Sequence, residues 1–385
     1  MRPADTRLRF TRVYLENWRN FTRVEAEIGR RAILAGPNAS GKSNLLDAFL
    51  FLGDVASDGF QQAVARRGGV SRLRSLAARQ PSHIALAVRI APEAGGPDWE
   101  YELEFAHENG RRPAILRERV TRDGNDVFLR PDADDEADAE RLSQSYLEHA
   151  AMNRDFREAA AFFASVRSVN MVPELVRDPA RSAGRREDPF GGDLIERIAA
   201  TPENTRAGRL KRILKALRAA APQFRDLQLW RDPQGAPHLR ARCGHWRPQG
   251  AWHTEDQLSD GTLRLIGTLW AALDSGGPLL IEEPELSLHP EIARQLLPML
   301  ASIERRTGRQ MLISTQSHEL LGADDLNPGE VLLLIPGEEC TEVRAAAAMD
   351  EAHALLDGTL HAAEEEAAVD DAQLDLFAEV PEETV

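Results

Sequence analysis

Residues 36–43 read Gly-Pro-Asn-Ala-Ser-Gly-Lys-Ser, a spacing that suits a run of phosphates. Gly36 and Gly41 let the backbone curl so that successive N–H groups point inward at an anion. Lys42 supplies a compact ammonium that can reach β- and γ-phosphates, where a planar guanidinium fits poorly. The Ser43 hydroxyl is placed to bind Mg²⁺. Lysine is scarce in this chain, which has only Lys42, Lys211 and Lys215 against 44 arginines. A lysine kept at position 42 therefore points to a task that arginine does not serve.

A second group of reactive residues follows an apolar run. Pro278-Leu279-Leu280-Ile281 leads into Glu282-Glu283-Pro284-Glu285-Leu286-Ser287-Leu288-His289-Pro290. Two acids at the end of an apolar strand are costly unless a cation or metal faces them. The economical reading has Glu282 supporting Mg²⁺ through water and Glu283 activating an attacking water. A strand running into a solvated acidic turn has the same letters, but the phosphate-type loop in the same chain favours chemistry. About twenty residues earlier stands Leu258-Ser259-Asp260-Gly261-Thr262-Leu263-Arg264. Ser259 offers a hydroxyl, Gly261 permits close backbone approach, and a helix starting there would aim its N–H groups at an anion. Taken alone, the same heptapeptide is a helix cap.

These residues need particular elements to hold them. Ala32–Ala35 is a short apolar strand before the loop, and Leu45, Leu46, Phe49 and Leu50 recur at helical spacing after it. His83–Ile90, Trp99–Ala106, Ile115–Val120 and Asp126–Leu129 alternate like strands, with Asp123-Gly124-Asn125 as a turn between the last two. Arg130–Arg141 holds six acids and reads as a solvated loop. Helical patterns follow at about 141–166 and 192–220. Within them, Thr205–Ala221 places Leu210, Ile213, Leu214 and Leu217 on one face and crowds the rest with Arg206, Arg209, Lys211, Arg212, Lys215 and Arg218. That face could track the phosphate backbone of double-stranded DNA, or be the solvated side of a packed helix. No long heptad array and no internal repeat appears.

Together the motifs resemble those of ABC-type ATPases of the SMC/RecF-like kind. Leu258–Thr262 resembles the signature in its "LSDGT" form, and Leu15–Phe21 is similar to the opening strand "ENFRNF". Glu285–Pro290 looks like the "ELSLHP" loop, and Ser314-Thr315-Gln316-Ser317 is similar to the switch "STHS" with glutamine in place of histidine. The resemblance is strong over residues 8–55 and 250–345, and the whole chain looks like stand-alone bacterial "predicted ATPases" of the AAA-21-like branch. It implies an α/β fold: an ABC-type P-loop ATPase head with a flanking antiparallel β-sheet and an inserted helical region. The expected organisation is head residues 1–60, a flanking sheet and helical insertion over 61–250, head residues 251–361, and an acidic disordered tail over 362–385. ATP and Mg²⁺ are the implied cofactors. The implied nucleotide-binding residues are Arg19, Gly36, Asn38, Gly41, Lys42, Ser43, Asn44, Ser259 and Gly261. Glu283 and Gln316 are the implied catalytic pair. Ser43, Glu282 and Gln144 are the implied metal-side residues, although Gln144 also reads as a surface glutamine. Glutamine can still donate a hydrogen bond at position 316. The resemblance further implies an ATP-dependent homodimer in which Ser259 and Gly261 of one copy cover the γ-phosphate of the other.

Composition narrows the setting. The 385 residues are 42% hydrophobic and 28% charged, an ordinary globular balance. No apolar run is long enough to cross a bilayer and no signal peptide is evident, so no membrane role and a cytoplasmic location are expected. Cys243 and Cys340 form no metal or disulfide pattern. The net charge is −15, of which residues 362–385 carry nine acids and no base, leaving −6 for the rest. That segment includes Gln373-Leu374-Asp375-Leu376-Phe377, which resembles the "QL[SD]LF" pentapeptide that binds the bacterial sliding clamp. An apolar anchor on a polar tail suits a hydrophobic pocket, on a clamp or on this protein itself. Three settings compete: DNA repair or replication maintenance, the ATPase half of a two-gene antiphage or toxin system with a separate effector nuclease encoded nearby, and a transporter subunit. The forms of the motifs and the missing transporter-type helical region argue against the third.

Overall fold

The computed structural model describes residues 7–78, 83–108, 112–181, 188–244, 251–323 and 326–357. The chain opens with a hairpin of β1 (Leu8–Trp18) and β2 (Phe21–Glu27), then β3 (Arg31–Ala35) and α1 (Lys42–Asp58). After α2 (Phe60–Arg66) and α3 (Val70–Leu73) comes a meander of β4 (Ile84–Pro92), β5 (Trp99–Glu108), β6 (Arg112–Arg122) and β7 (Asn125–Arg130). Next are α4 (Ala133–Ala137), α5 (Arg157–Ala164), β8 (Arg167–Val169), α6 (Pro173–Arg177), α7 (Leu194–Ala200) and α8 (Glu203–Ala220). The strands β9 (Phe224–Arg231), β10 (Pro237–Cys243) and β11 (Ala251–Thr254) precede α9 (Asp260–Leu273), β12 (Leu279–Glu282) and α10 (Pro290–Thr307). The described fold closes with β13 (Met311–Thr315), α11 (His318–Leu321), β14 (Val331–Pro336), β15 (Thr341–Ala345) and a helical stretch over 349–357. Among the described residues, no helix is long and apolar enough to cross a membrane.

Three sheets result. One is antiparallel, in the order β2-β1-β4-β5-β6-β7, and a small one runs β11-β10-β9. The third has the order β15-β14-β3-β13-β12-β8, with its five strands from β14 to β8 parallel and β15 antiparallel at the edge. All five residues of β3 and of β13 are buried, as expected of parallel strands covered on both faces. The period of two assigns their side chains to opposite cores. Leu34, Leu280, Leu312 and Leu332 face the antiparallel sheet, α1 and α5, where Phe10, Phe49, Phe162 and Phe163 cluster. Ile33, Ile281, Ile313 and Leu333 face α8, α9 and the small sheet. The Gln310 amide joins the two larger sheets: it donates to the Phe10 and Gly29 carbonyls and accepts from the Phe10 N–H.

The segment Arg130–Arg141 departs from the expected solvated loop. Arg130 and Asp135 are fully buried, joined by two hydrogen bonds of 2.9 and 2.7 Å, and α4 is closed by a capping box on Asp132. Its acids cap a helix and neutralise a buried arginine. Of the helical pattern at 141–166, only α5 is α-helical. The pattern at 192–220 splits into α7 and α8, interrupted at Thr201-Pro202, where proline lacks the N–H a continuing helix needs. β8, drawn from the middle of the chain, is a strand of the parallel sheet. The acidic tail and its pentapeptide lie outside the described residues.

Candidate active site

Parallel, in-register strands deliver the reactive residues to one edge. Ala35 pairs with Thr315 and Glu282 with Ser314, so the loop after β3, the carboxylates after β12 and Gln316 after β13 emerge side by side. This carboxyl edge is where open α/β sheets bind ligands.

The loop itself requires its glycines. A Cβ at Gly36 would sit 2.7 Å from the Leu334 carbonyl oxygen, and one at Gly41 would meet the Asn20 amide. Gly41 also has φ +93 at the N-cap of α1, a left-handed conformation that glycine adopts without steric cost. With no side chain capping it, α1 turns its first N–H groups toward the loop. The buried Lys42 ammonium donates to the Gly36 and Pro37 carbonyls at 3.0 and 2.7 Å and lies 3.8 Å from Glu283. Burial lowers its pKa, and Glu283 and Glu285 oppose the shift. Asn38 and Ser43 are exposed.

The Ser43 hydroxyl donates to Glu282 Oε2 at 3.0 Å. Burial raises the pKa of Glu282, Ser43 counters the shift, and neighbouring Asp47 and Glu283 add to it. A hydroxyl and a desolvated carboxylate, with no counter-cation between them, fit Mg²⁺. That hard ion takes oxygen ligands and keeps waters and phosphate oxygens for its remaining positions. A protein cage is not needed, and among the described residues no group of three or more His, Cys, Asp or Glu side chains could hold a metal. Glu283 stands at φ 39 with its N–H on the Ser314 carbonyl, and Gln316 donates to its carboxylate at 3.5 Å.

Three further residues were not singled out from sequence. Glu285 is buried against the switch strand, where Thr315 Oγ1 donates to it at 2.5 Å and the Gln316 N–H at 3.3 Å. Its other oxygen is buried without a hydrogen-bond partner, and burial raises its pKa to about 7. Asn20 braces the phosphate loop, donating to the Ser40 carbonyl and to Thr341 while accepting from Asn44. Asn170 follows β8, whose Val169 pairs with Ile281, so it stands at the strand end beside Glu282. Gln144 does not join this group. It is exposed, bonded to His149, and its carbonyl accepts from Arg130, because the chain there follows the antiparallel sheet. Arg19 is held by Asp47 on α1 through bonds of 3.1 and 2.6 Å.

Ser259 is the N-cap of α9, accepting from the Thr262 N–H, and is exposed. Gly261 is buried against the loop after the carboxylates: a Cβ there would lie 2.3 Å from the Ser287 carbonyl oxygen. Arg177 fixes the turn from α6, bonding the Leu258 carbonyl and Asp260. Among the described residues, no hydrogen bond joins Ser259 to the phosphate loop of its own chain.

Residues 31–322 match the family described as "AAA domain, putative AbiEii toxin, Type IV TA system". The chain belongs to the AAA_21 family. This AAA_21 protein has the fold of solved Smc heads, and so of ABC-type P-loop ATPase heads. An Smc head bound to the C-terminal winged-helix domain of ScpA superposes with a TM-score of 0.57 at 14% identity, covering 89% of this chain and 99% of that one. A Pyrococcus furiosus Smc head bound to the C-terminal domain of ScpA gives 0.53 at 11%, covering 92% and 100%. A Pyrococcus yayanosii Smc head with coiled coil and joint gives the same values. No curated protein matches the AAA_21 chain.

Proposed function

We propose that this AAA_21 protein binds and hydrolyses ATP and acts as a switch that closes as a homodimer. The observation that carries the reading is the pairing of the loop with the carboxylates, Ser43 to Glu282 at 3.0 Å and Lys42 to Glu283 at 3.8 Å. Lys42 and the loop N–H groups hold the phosphates. Ser43 and Glu282 hold Mg²⁺, with Asn170 rather than Gln144 as the amide beside them. The bound ion neutralises phosphate charge. Glu283 orients the attacking water and takes its proton, and Gln316 holds the Glu283 carboxylate in place. The exposed Ser259 and its helix N-terminus await a phosphate supplied by a second copy.

The setting we favour is cytoplasmic DNA repair or replication maintenance, with double-stranded DNA and the sliding clamp as partners, the latter through Gln373–Phe377. A second reading is the ATPase subunit of an antiphage or toxin system that controls a separate effector nuclease, and the family's own description supports it. ScpA-bound Smc heads give a precedent for a protein partner.

Glu283→Gln is expected to bind ATP and stay dimeric while turnover falls at least about a hundredfold. Normal turnover in that variant would remove Glu283 from the mechanism. Steady-state hydrolysis with and without duplex DNA, with Lys42→Ala as the blank, separates the settings. Stimulation by DNA supports the first, and basal turnover indifferent to DNA supports an effector protein.

A further inference from the structure

On the face away from the nucleotide-type loop, α8, α9 and α10 frame a groove of about 370 Å³. Its floor is apolar, with Ala216, Leu273, Met299 and Ile303 only partly covered over buried Ile213 and Leu269. Its rim is basic: Arg212, Lys215 and Arg306 line it and are exposed. Of the other cations of α8, Arg209 bonds Asp274 and Arg206 and Arg218 bond backbone carbonyls, while Lys211 is exposed and does not line the groove. Among the described residues no hydrogen bond or ion pair engages Arg212, Lys215 or Arg306. An apolar floor inside a cationic rim selects an acidic segment with large apolar side chains. It is poorly suited to a nucleic-acid backbone, which would leave the floor uncovered.

The chain carries one such segment. Residues 358–385 hold nine acids and no lysine or arginine, and Leu374-Asp375-Leu376-Phe377 lies among them. The described body ends near the groove's helices. Leu356 packs in the same core as α9 and α10, and Asp357 pairs with His318 on α11, which packs against α10. From Asp357 to Leu374 an extended chain spans up to about 55 Å, while the whole of α10 is about 27 Å long. Every point of the groove is within reach. We propose that the groove is the seat of this chain's own acidic tail, with Leu374, Leu376 and Phe377 on the floor and the flanking acids against Lys215 and Arg306. The pentapeptide then has two competing sites, this groove and any outside partner. The proposal does not depend on the ATPase reading.

The test uses the full chain carrying Phe377→Ala, which vacates the groove, and a fluorescein-labelled peptide of residues 369–381. Fluorescence anisotropy is expected to show binding. The affinity should fall at least tenfold when Lys215→Glu and Arg306→Glu are added, and be at least threefold weaker in the wild-type chain, whose own tail competes. Hydrogen exchange is expected to be slower over residues 295–306 in wild type than in Phe377→Ala, at every protein concentration. Absence of binding together with identical exchange overturns the proposal, as does binding indifferent to charge reversal. Protection that grows with concentration assigns the groove to a second copy, and protection seen only with a DNA duplex assigns it to nucleic acid. Either outcome also overturns the proposal.

Discussion

Among the described regions that bury charge, two do it differently. In the antiparallel sheet Arg130, Glu118 and Asp135 have no exposed side-chain surface. Every neighbour is engaged: Tyr101, Ser145 and the Tyr146 N–H donate to Glu118, and the Gln144 and Arg141 carbonyls accept from Arg130. At the edge of the parallel sheet Lys42 contacts Glu283 only at 3.8 Å, Glu282 has one hydroxyl partner, and one Glu285 oxygen has none. Burial alone does not mark a functional site, because a closed network is structure. Charge held with spare bonding capacity is a place for a ligand.

The largest expected effect tests the closed network. Arg130→Met leaves buried Glu118 without its cation and Asp135 with only Arg141 at 3.5 Å, and should destabilise the protein by about 4 kcal/mol in urea unfolding. Nucleotide affinity of the folded fraction should be unchanged; equal loss of both would merge the two regions. Glu285 tests the open one. Its pKa is about 7 in the fold against 4.5 ordinarily, so between those values the folded chain keeps a proton that the unfolded chain releases. Stability of the nucleotide-free protein therefore falls as pH rises from about 4.5 to about 7 and levels above. Glu285→Gln should remove up to about 3 kcal/mol of that fall, and parallel unfolding curves at pH 5 and 8 would refute it. Gly261→Ala should cost about 2 kcal/mol, since its Cβ would press on the Ser287 backbone carbonyl and the Leu288 side chain, and Gly261→Ser at least as much. Smallest, Asn20→Ala should cost about 1 kcal/mol and weaken ATP binding severalfold by loosening Ser40 and Asn44, read by calorimetry.

Contiguity decided what could be read in advance. The phosphate loop, the Glu282–Glu283 pair and the Ser259 cap each carry their meaning within a few residues, and the structure places each at a strand or helix end. The four middle strands were legible from alternation to within a few residues. Glu285 was not, because its role depends on Thr315 of another strand. Asn170 follows a three-residue strand too short to show a period, and Gln144 looked equally good in a flat string. Arg130–Arg141 was misread because an acid-rich run looks solvated until Glu118, from another strand, closes around it.

The Gln310 amide stands in for a missing peptide group between the two larger sheets, and Thr341 bonds back to Asn20 across the same seam. The antiparallel lobe and the parallel sheet are therefore stitched into one stiff plate. The switch proposed above would have to move without bending that seam. On the other side α6 to α9 and the small sheet meet the plate mainly through apolar packing, with the buried Arg309 guanidinium on the Ala271 carbonyl as a polar tie.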